Sequence, residues 1–270
     1  MKTFKEFVTL NFKKNQLKKQ VNDLTDILVR LTSIPKKTHL LAAMRAESVK
    51  LKAHDNTTDY WLDEKSTFKE WLKSHGVKFY GNSIPEYADG GVGRCYFLGN
   101  YVVKMSANRV EANVAKMVSG REDLPTNIID VLPLQNGIYA ILQHYVNVDS
   151  VPKNILKASD YMSVLIDNLP EESVLPTDKS LQEELCVKTL RGKIELLPSM
   201  MLFMELLIKL YNATGFTHDD AGPTNIGLHK GRIVIPDLGP NETGKFDSEK
   251  ALDKIKKNRE ILGLPNHDFI

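Results

Sequence analysis

The residues of this chain best suited to chemistry lie between Gly215 and Gly239, in the run GFTHDDAGPTNIGLHKGRIVIPDLG, where two acidic turns and an amide are set between short apolar runs. Asp220 and Asn225 stand five apart on a turn that Gly222 and Pro223 keep from being helical, and Asp237 follows a strand-like run from Arg232 to Ile235. A hairpin returning through His229, Lys230 and Gly231 would carry Asp237 back beside Asn225. A carboxylate and an amide oxygen could then share a hard cation such as Mg²⁺, leaving Asp220 free. Asp, Gly, Pro and Asn are also ordinary turn formers, so either turn alone reads equally well as a bend without chemistry.

The elements that must position these residues are legible on either side. Leu196 to Ala213 is apolar around nearly its whole circumference and predicts a buried helix, which Gly215 ends just before the acidic turn. Its methionines are read as core rather than as a binding groove. Upstream, Ala88 to Ser106 reads as a β-hairpin with a glycine-rich start at Gly90, Gly91 and Gly93, a Gly99-Asn100 turn, and Lys104 near the end of its second strand. A helix is expected over Asn108 to Val118, carrying Glu111. Ile128 to Leu134 and Ile138 to Gln143 predict a second hairpin, joined by Gln135-Asn136-Gly137. Helices are expected at about Ala158 to Leu169, Lys179 to Thr189 and Asp247 to Leu262.

At 270 residues, 42% hydrophobic and 26% charged, the chain can bury a substantial core. A net charge of +2 gives no general reason to expect nucleic acid or a membrane as partner. Two cysteines, Cys95 and Cys186, make no disulfide framework and no zinc spacing, which suggests a reducing, intracellular setting. No apolar run approaches the roughly 20 residues a spanning helix needs, and Met1 to Leu10 lacks the apolar core of a secretory signal. Residues 1–76 read as a separate helical extension that begins with a basic amphipathic stretch, either a membrane-surface helix or a lysine face in solvent. Short strands begin at Val77.

His218, Asp220 and Asn225 match the pattern His-x-Asp-x-x-x-x-Asn, and Asp237-Leu238-Gly239 matches Asp-Phe-Gly; together they resemble the catalytic and metal-binding loops of the protein-kinase-like superfamily. The resemblance covers roughly residues 80 to 240. It implies an α+β, bilobal protein-kinase-like fold: a small antiparallel β N-lobe at 77–146, a mainly helical C-lobe at 147–270, and the N-terminal helical extension. It implies ATP and Mg²⁺ as cofactors, with Asp220 as catalytic base and Asn225 and Asp237 as metal ligands. By the same resemblance Gly91 and Gly93 cover the phosphates, Lys104 binds them while paired to Glu111, and Gln143 to Val146 form the hinge that meets the adenine, with Gln143 and Tyr145 at the nucleotide and Leu142 near the gatekeeper position.

Departures from the pattern are informative. Tyr96 stands where a third glycine is usual, and Arg94 is a candidate to compensate. Asp219 replaces the arginine before the base, which removes the anchor for a phosphorylated activation loop, and Gly222 replaces the lysine after it. Only residues 240 to 270 follow Gly239, so the layout looks closer to aminoglycoside-phosphotransferase-like and minimal bacterial or viral kinases. The function expected is transfer of the γ-phosphate of ATP to a hydroxyl, with a protein Ser/Thr acceptor placed first. The alternatives are a small-molecule, aminoglycoside-type kinase, an inactive pseudokinase, or a capsid-packaged binding protein. The opening MKTFKEF resembles head-targeting segments of internal capsid proteins in T-even-like phages, which would place the protein in the host cytoplasm or in the virion.

Overall fold

The computed structural model describes residues 57–63, 66–79, 83–89, 93–168, 175–218, 222–239 and 248–270. The helices expected before residue 57 lie outside the described residues. Five strands, β1 (Tyr87–Asp89), β2 (Gly93–Leu98), β3 (Tyr101–Ser106), β4 (Ile128–Pro133) and β5 (Tyr139–His144), form one antiparallel sheet in the order β1-β2-β3-β5-β4. The Gly99-Asn100 turn sets the central register, because it pairs Leu98 with Tyr101 and so Cys95 with Lys104 and Arg94 with Met105. Gly99 sits at φ 65°, a conformation glycine adopts without a Cβ penalty.

Alternation across β2, β3 and β5 gives the sheet two apolar faces. One face, through Tyr96, Val103, Met105, Ala140 and Leu142, packs against two helices, α1 (Asp59–Leu62) and α2 (Thr67–Ser74). Trp61 sits edge-on to Phe68 at 4.9 Å and lies 5.0 Å from the Tyr96 ring, while Thr57 and Tyr96 share a hydroxyl hydrogen bond of 2.9 Å. Side chains of this size stabilise by about 1.5–3 kcal/mol each when fully buried. The expected boundary at residue 76 therefore cuts through a core: residues 57–76 cover the sheet, and the compact unit begins at Thr57. The tryptophan and phenylalanine spacing of α2 had shown an apolar face without showing what it meets.

The other face, through Ile141, meets helix α3 (Arg109–Val118) and joins the core of the helical lobe. Asn108 caps α3 by accepting from the backbone N–H of Val110 and Glu111 at 3.0 and 3.1 Å. Asp130 on β4 clasps both layers, accepting from Trp71 Nε1 on α2 at 2.9 Å and from Lys116 Nζ on α3 at 2.7 Å. The second lobe contains α4 (Lys153–Asp167), α5 (Lys179–Leu190), α6 (Leu197–Thr214), the hairpin β6 (Gly227–His229) and β7 (Arg232–Val234), and α7 (Ser248–Ile261). Among the described residues, no helix is long and apolar enough to cross a membrane.

Candidate active site

Three elements bring their charged residues to one point. Lys104, on β3, is 7% exposed, and its Nζ lies 2.5 Å from Glu111 Oε1 on α3 and 2.9 Å from Asp237 Oδ2, which follows β7. Ser106 completes the second carboxylate oxygen, donating from Oγ to Glu111 Oε2 at 2.8 Å, and its Oγ also accepts from the Asn108 backbone at 3.1 Å. Asp237 Oδ1 accepts from Gly239 N at 3.0 Å. A Cβ at position 239 would lie 3.2 Å from Asp237 Oδ1, closer than ordinary contact, so a side chain there would push on the carboxylate that faces Lys104.

The electrostatics follow from this crowding. Burial alone would lower the Lys104 amine, but the Glu111 and Asp237 carboxylates outweigh it and hold the amine above its ordinary range. Burial pushes the Glu111 carboxyl up to about 7 against the pull of Lys104. Burial also acts to raise Asp237, yet Lys104 wins, and that carboxyl is held below its usual value. The Cys95 thiol lies across the β2–β3 ladder from Lys104, and burial pushes it up to about 11, so it stays a protonated, apolar neighbour.

The end of α6, which precedes the acidic pattern, is held by α7. Gly215 ends α6 at φ 75°, and a Cβ there would meet Arg259 Cγ and the Ile255 carbonyl of α7. Asn258 Nδ2 donates to Gly215 O at 2.8 Å, and Arg259 Nη1 to the carbonyls of Ala213 and Thr214. Beyond it, Pro223–Asn225 form a 3₁₀ turn that leads into β6, and the β6–β7 hairpin turns back through Lys230 and Gly231, both with positive φ. That hairpin delivers Asp237. Asp220 and Asp219 lie outside the described residues, as does Gly91.

The remaining candidates are placed as follows. Gly93 is accounted for by strand packing, since a Cβ would collide with the Met105 carbonyl oxygen. Arg94 is not brought to the cleft: it pairs with Met105 on the sheet face opposite Lys104, donates from Nε to Asp89 Oδ1 at 2.6 Å and lies 4.3 Å above the Tyr87 ring. Gln143 is buried in β5, and its Oε1 has no hydrogen-bond partner among the described residues. Tyr145 is half exposed, and its N–H donates to Asn100 O at 2.8 Å. The segment after it is tied to the second lobe by reciprocal backbone bonds between Asn147 and Leu228, at 3.3 and 3.2 Å, and Gly227 is needed where the Val146 side chain crosses. Sequence reading missed Ser106 and Cys95. Both were signalled by the two-residue turn, whose register assigns Cys95 to Lys104's face.

A five-stranded antiparallel sheet whose third strand carries a lysine, a following helix that supplies its glutamate, and a hairpin in a helical lobe that supplies an aspartate define a protein-kinase-like fold. No protein-family model matches the chain, and no curated protein matches it. Among solved structures, similarity is found to the GDP and kanamycin complex of APH(2″)-IIia, at 10% identity over 74% of this chain and 83% of that one, with a TM-score of 0.30. It is also found to the GDP complex of wild-type aminoglycoside 2′-phosphotransferase-IIIa, at 11% identity over 74% and 83%, with a TM-score of 0.31. The fold class stands on the sheet order and the cleft, not on these scores.

Proposed function

We propose that the chain is a nucleotide-dependent phosphotransferase that moves the γ-phosphate of ATP to a hydroxyl group. The observation that carries the reading is Lys104 held between two carboxylates from different elements, Glu111 at 2.5 Å and Asp237 at 2.9 Å. Glu111, itself held by the Ser106 hydroxyl, holds the ammonium in place, so that it can contact a polyphosphate without first paying for its own ordering. Asp237, partly exposed, is the carboxylate that can change partners from Lys104 to a cation. Asp237 and Asn225 offer one carboxylate and one amide oxygen, a donor set that fits Mg²⁺, which takes oxygen ligands and completes its shell with water and phosphate. When bound, the ion would neutralise charge on the phosphates. Among the described residues no cluster of three or more His, Cys, Asp or Glu competes as a metal site.

Asp220 is assigned as the base that orients the acceptor hydroxyl and takes its proton, on the resemblance of its loop. In Asp220→Asn, nucleotide affinity should change little while turnover falls on the order of 10²- to 10⁴-fold, and Asp219→Asn should cost much less. The reverse order in two folded variants would shift the loop's assignment by one residue. The deciding experiment incubates the purified chain with Mg²⁺ and γ-labelled ATP, first with small-molecule hydroxyl acceptors, beginning with the kanamycin bound in one of the similar structures, and then with protein acceptors. Label transferred to none of them, with nucleotide still bound, would support the pseudokinase alternative instead.

A further inference from the structure

Helix α3 carries Glu111, so whatever fixes α3 decides where the partner of Lys104 stands. The outer face of α3 is gripped by residues from the far end of the chain. Asn113, fully buried, accepts from the Ile270 backbone N–H at 2.8 Å and donates from Nδ2 to Ile270 O at 3.2 Å, so one amide satisfies both polar groups of that residue. Arg109, in the first turn of α3, donates from Nε to the same Ile270 oxygen at 2.8 Å and from Nη1 to Glu249 on α7 at 2.6 Å. Phe269 and Ile270 pack on the main core, and the Lys256 ammonium lies 5.4 Å from the Phe269 ring. The start of the segment is pinned to α7, because Leu264 N donates to Arg259 O at 2.9 Å and Arg259 Nη2 donates to Pro265 O at 2.7 Å.

We propose that residues 264–270 are a positioning strap: through Asn113 and Arg109 they hold α3 so that Glu111 stays on Lys104, which makes a segment bound to the outer face of that helix a determinant of the nucleotide site. The strap's link to nucleotide rests on the function proposed above; its hold on Glu111 and Lys104 does not. Asn113 Nδ2 also donates to Arg109 O at 2.8 Å, so loss of Ile270 leaves the amide oxygen without its donor while the amide nitrogen keeps one acceptor, and α3 is free to shift toward other donors. Glu111 is then drawn off Lys104, and the amine becomes more accessible.

The test compares the unaltered chain, a truncation after Asp268, and Asn113→Leu, each alone and with Glu111→Gln. Three quantities are read: acylation of Lys104 by an amine-reactive reagent, amide exchange at residues 110–114, and affinity for a fluorescent ADP with Mg²⁺. Each single change removes three hydrogen bonds and should speed Lys104 acylation and the 110–114 exchange by roughly 5- to 30-fold, part of the worth of those bonds, while exchange in α5 stays unchanged. Nucleotide affinity should fall by a similar factor. In the Glu111→Gln background the truncation should add less than about twofold, because the route through Glu111 is already cut. Folded variants whose Lys104 reactivity stays within twofold of the unaltered chain would overturn the proposal, as would an undiminished increase in the Glu111→Gln background. Should the truncated chain not fold, Asn113→Leu and the more exposed Arg109→Gln decide by the same criteria. An unaltered chain that binds no nucleotide would sink the functional reading alone, since the acylation and exchange measurements still decide the strap.

Discussion

Lys104 is the residue on which the cleft turns, and its removal has two separable effects. Lys104→Met leaves Glu111 buried without its cation, a loss on the order of 3 kcal/mol for a broken buried pair. Glu111 can blunt that loss by taking a proton, because burial has already pushed its carboxyl up to about 7. The thermal midpoint of Lys104→Met should therefore drop by several degrees at pH 8 and by less at pH 6, and nucleotide affinity with Mg²⁺ should fall at both. A midpoint loss equal at the two pH values would mean that Glu111 does not take up the proton. The pairing of Lys104 with Glu111 was legible through the kinase-like resemblance, in which a glycine-rich hairpin, a strand lysine and a helix glutamate follow in that order. Arg94 was misassigned by parity: a two-residue turn at Gly99-Asn100 already places it and Tyr96 opposite Lys104's face, and glycine content drew attention away from register. Asp237 was found through its hairpin, whose Lys230-Gly231 turn takes the left-handed geometry that its sequence suggests.

Among the elements, the junction between β5 and β6 yields a prediction of its own. The His144 and His229 rings stack at 4.5 Å and 16°, with Tyr101 stacked on the far side of His144 at 5.6 Å. Burial, and after it the neighbouring His229 and Lys230, hold His144 below its ordinary pKa; burial and then Lys230 do the same to His229. In the unfolded chain both take protons near pH 6.5, so the folded state binds fewer protons below that value. Stability from the stack is thus complete above about pH 6.5 and lost as pH falls through the lower folded values. His229→Phe, which keeps a ring but removes the titration, should flatten the decline of the thermal midpoint between pH 7.5 and 5.5; an unchanged slope would show that the stack does not titrate there. This junction was hidden in the sequence because its histidines lie 85 positions apart. Helix α4 was partly hidden too: it begins at Lys153, not near Ala158, with Pro152 at its N-cap, and Lys153, Asn154 and Lys157 dilute the apolar signal of Ile155 and Leu156 there.

For the whole molecule, the sheet lacks one of its two covers without α1 and α2. A chain that starts at Val77 would expose Tyr96, Val103, Met105 and Leu142, all at most 1% exposed in the intact fold. It should lose cooperative unfolding by circular dichroism, whereas a chain that starts at Thr57 should retain it; a cooperative transition in the shorter chain would show that the two helices are dispensable. The two-lobed plan was readable because each lobe has its own periodicity, alternating strands first and apolar helices after. The cover was not, since helical periodicity states that a face is apolar and leaves its partner open. The grip of Arg109 on Ile270 joins residues 161 positions apart. At a synthesis rate of about 5–20 residues per second, Ile270 is added roughly 8–30 s after Arg109. The lysine and glutamate of the cleft leave the ribosome early and together, yet the contact that completes the outer face of their helix comes from a segment made long after both, so a nascent chain stalled before Ile270 would present a lobe with its sheet assembled and its ion pair unsecured.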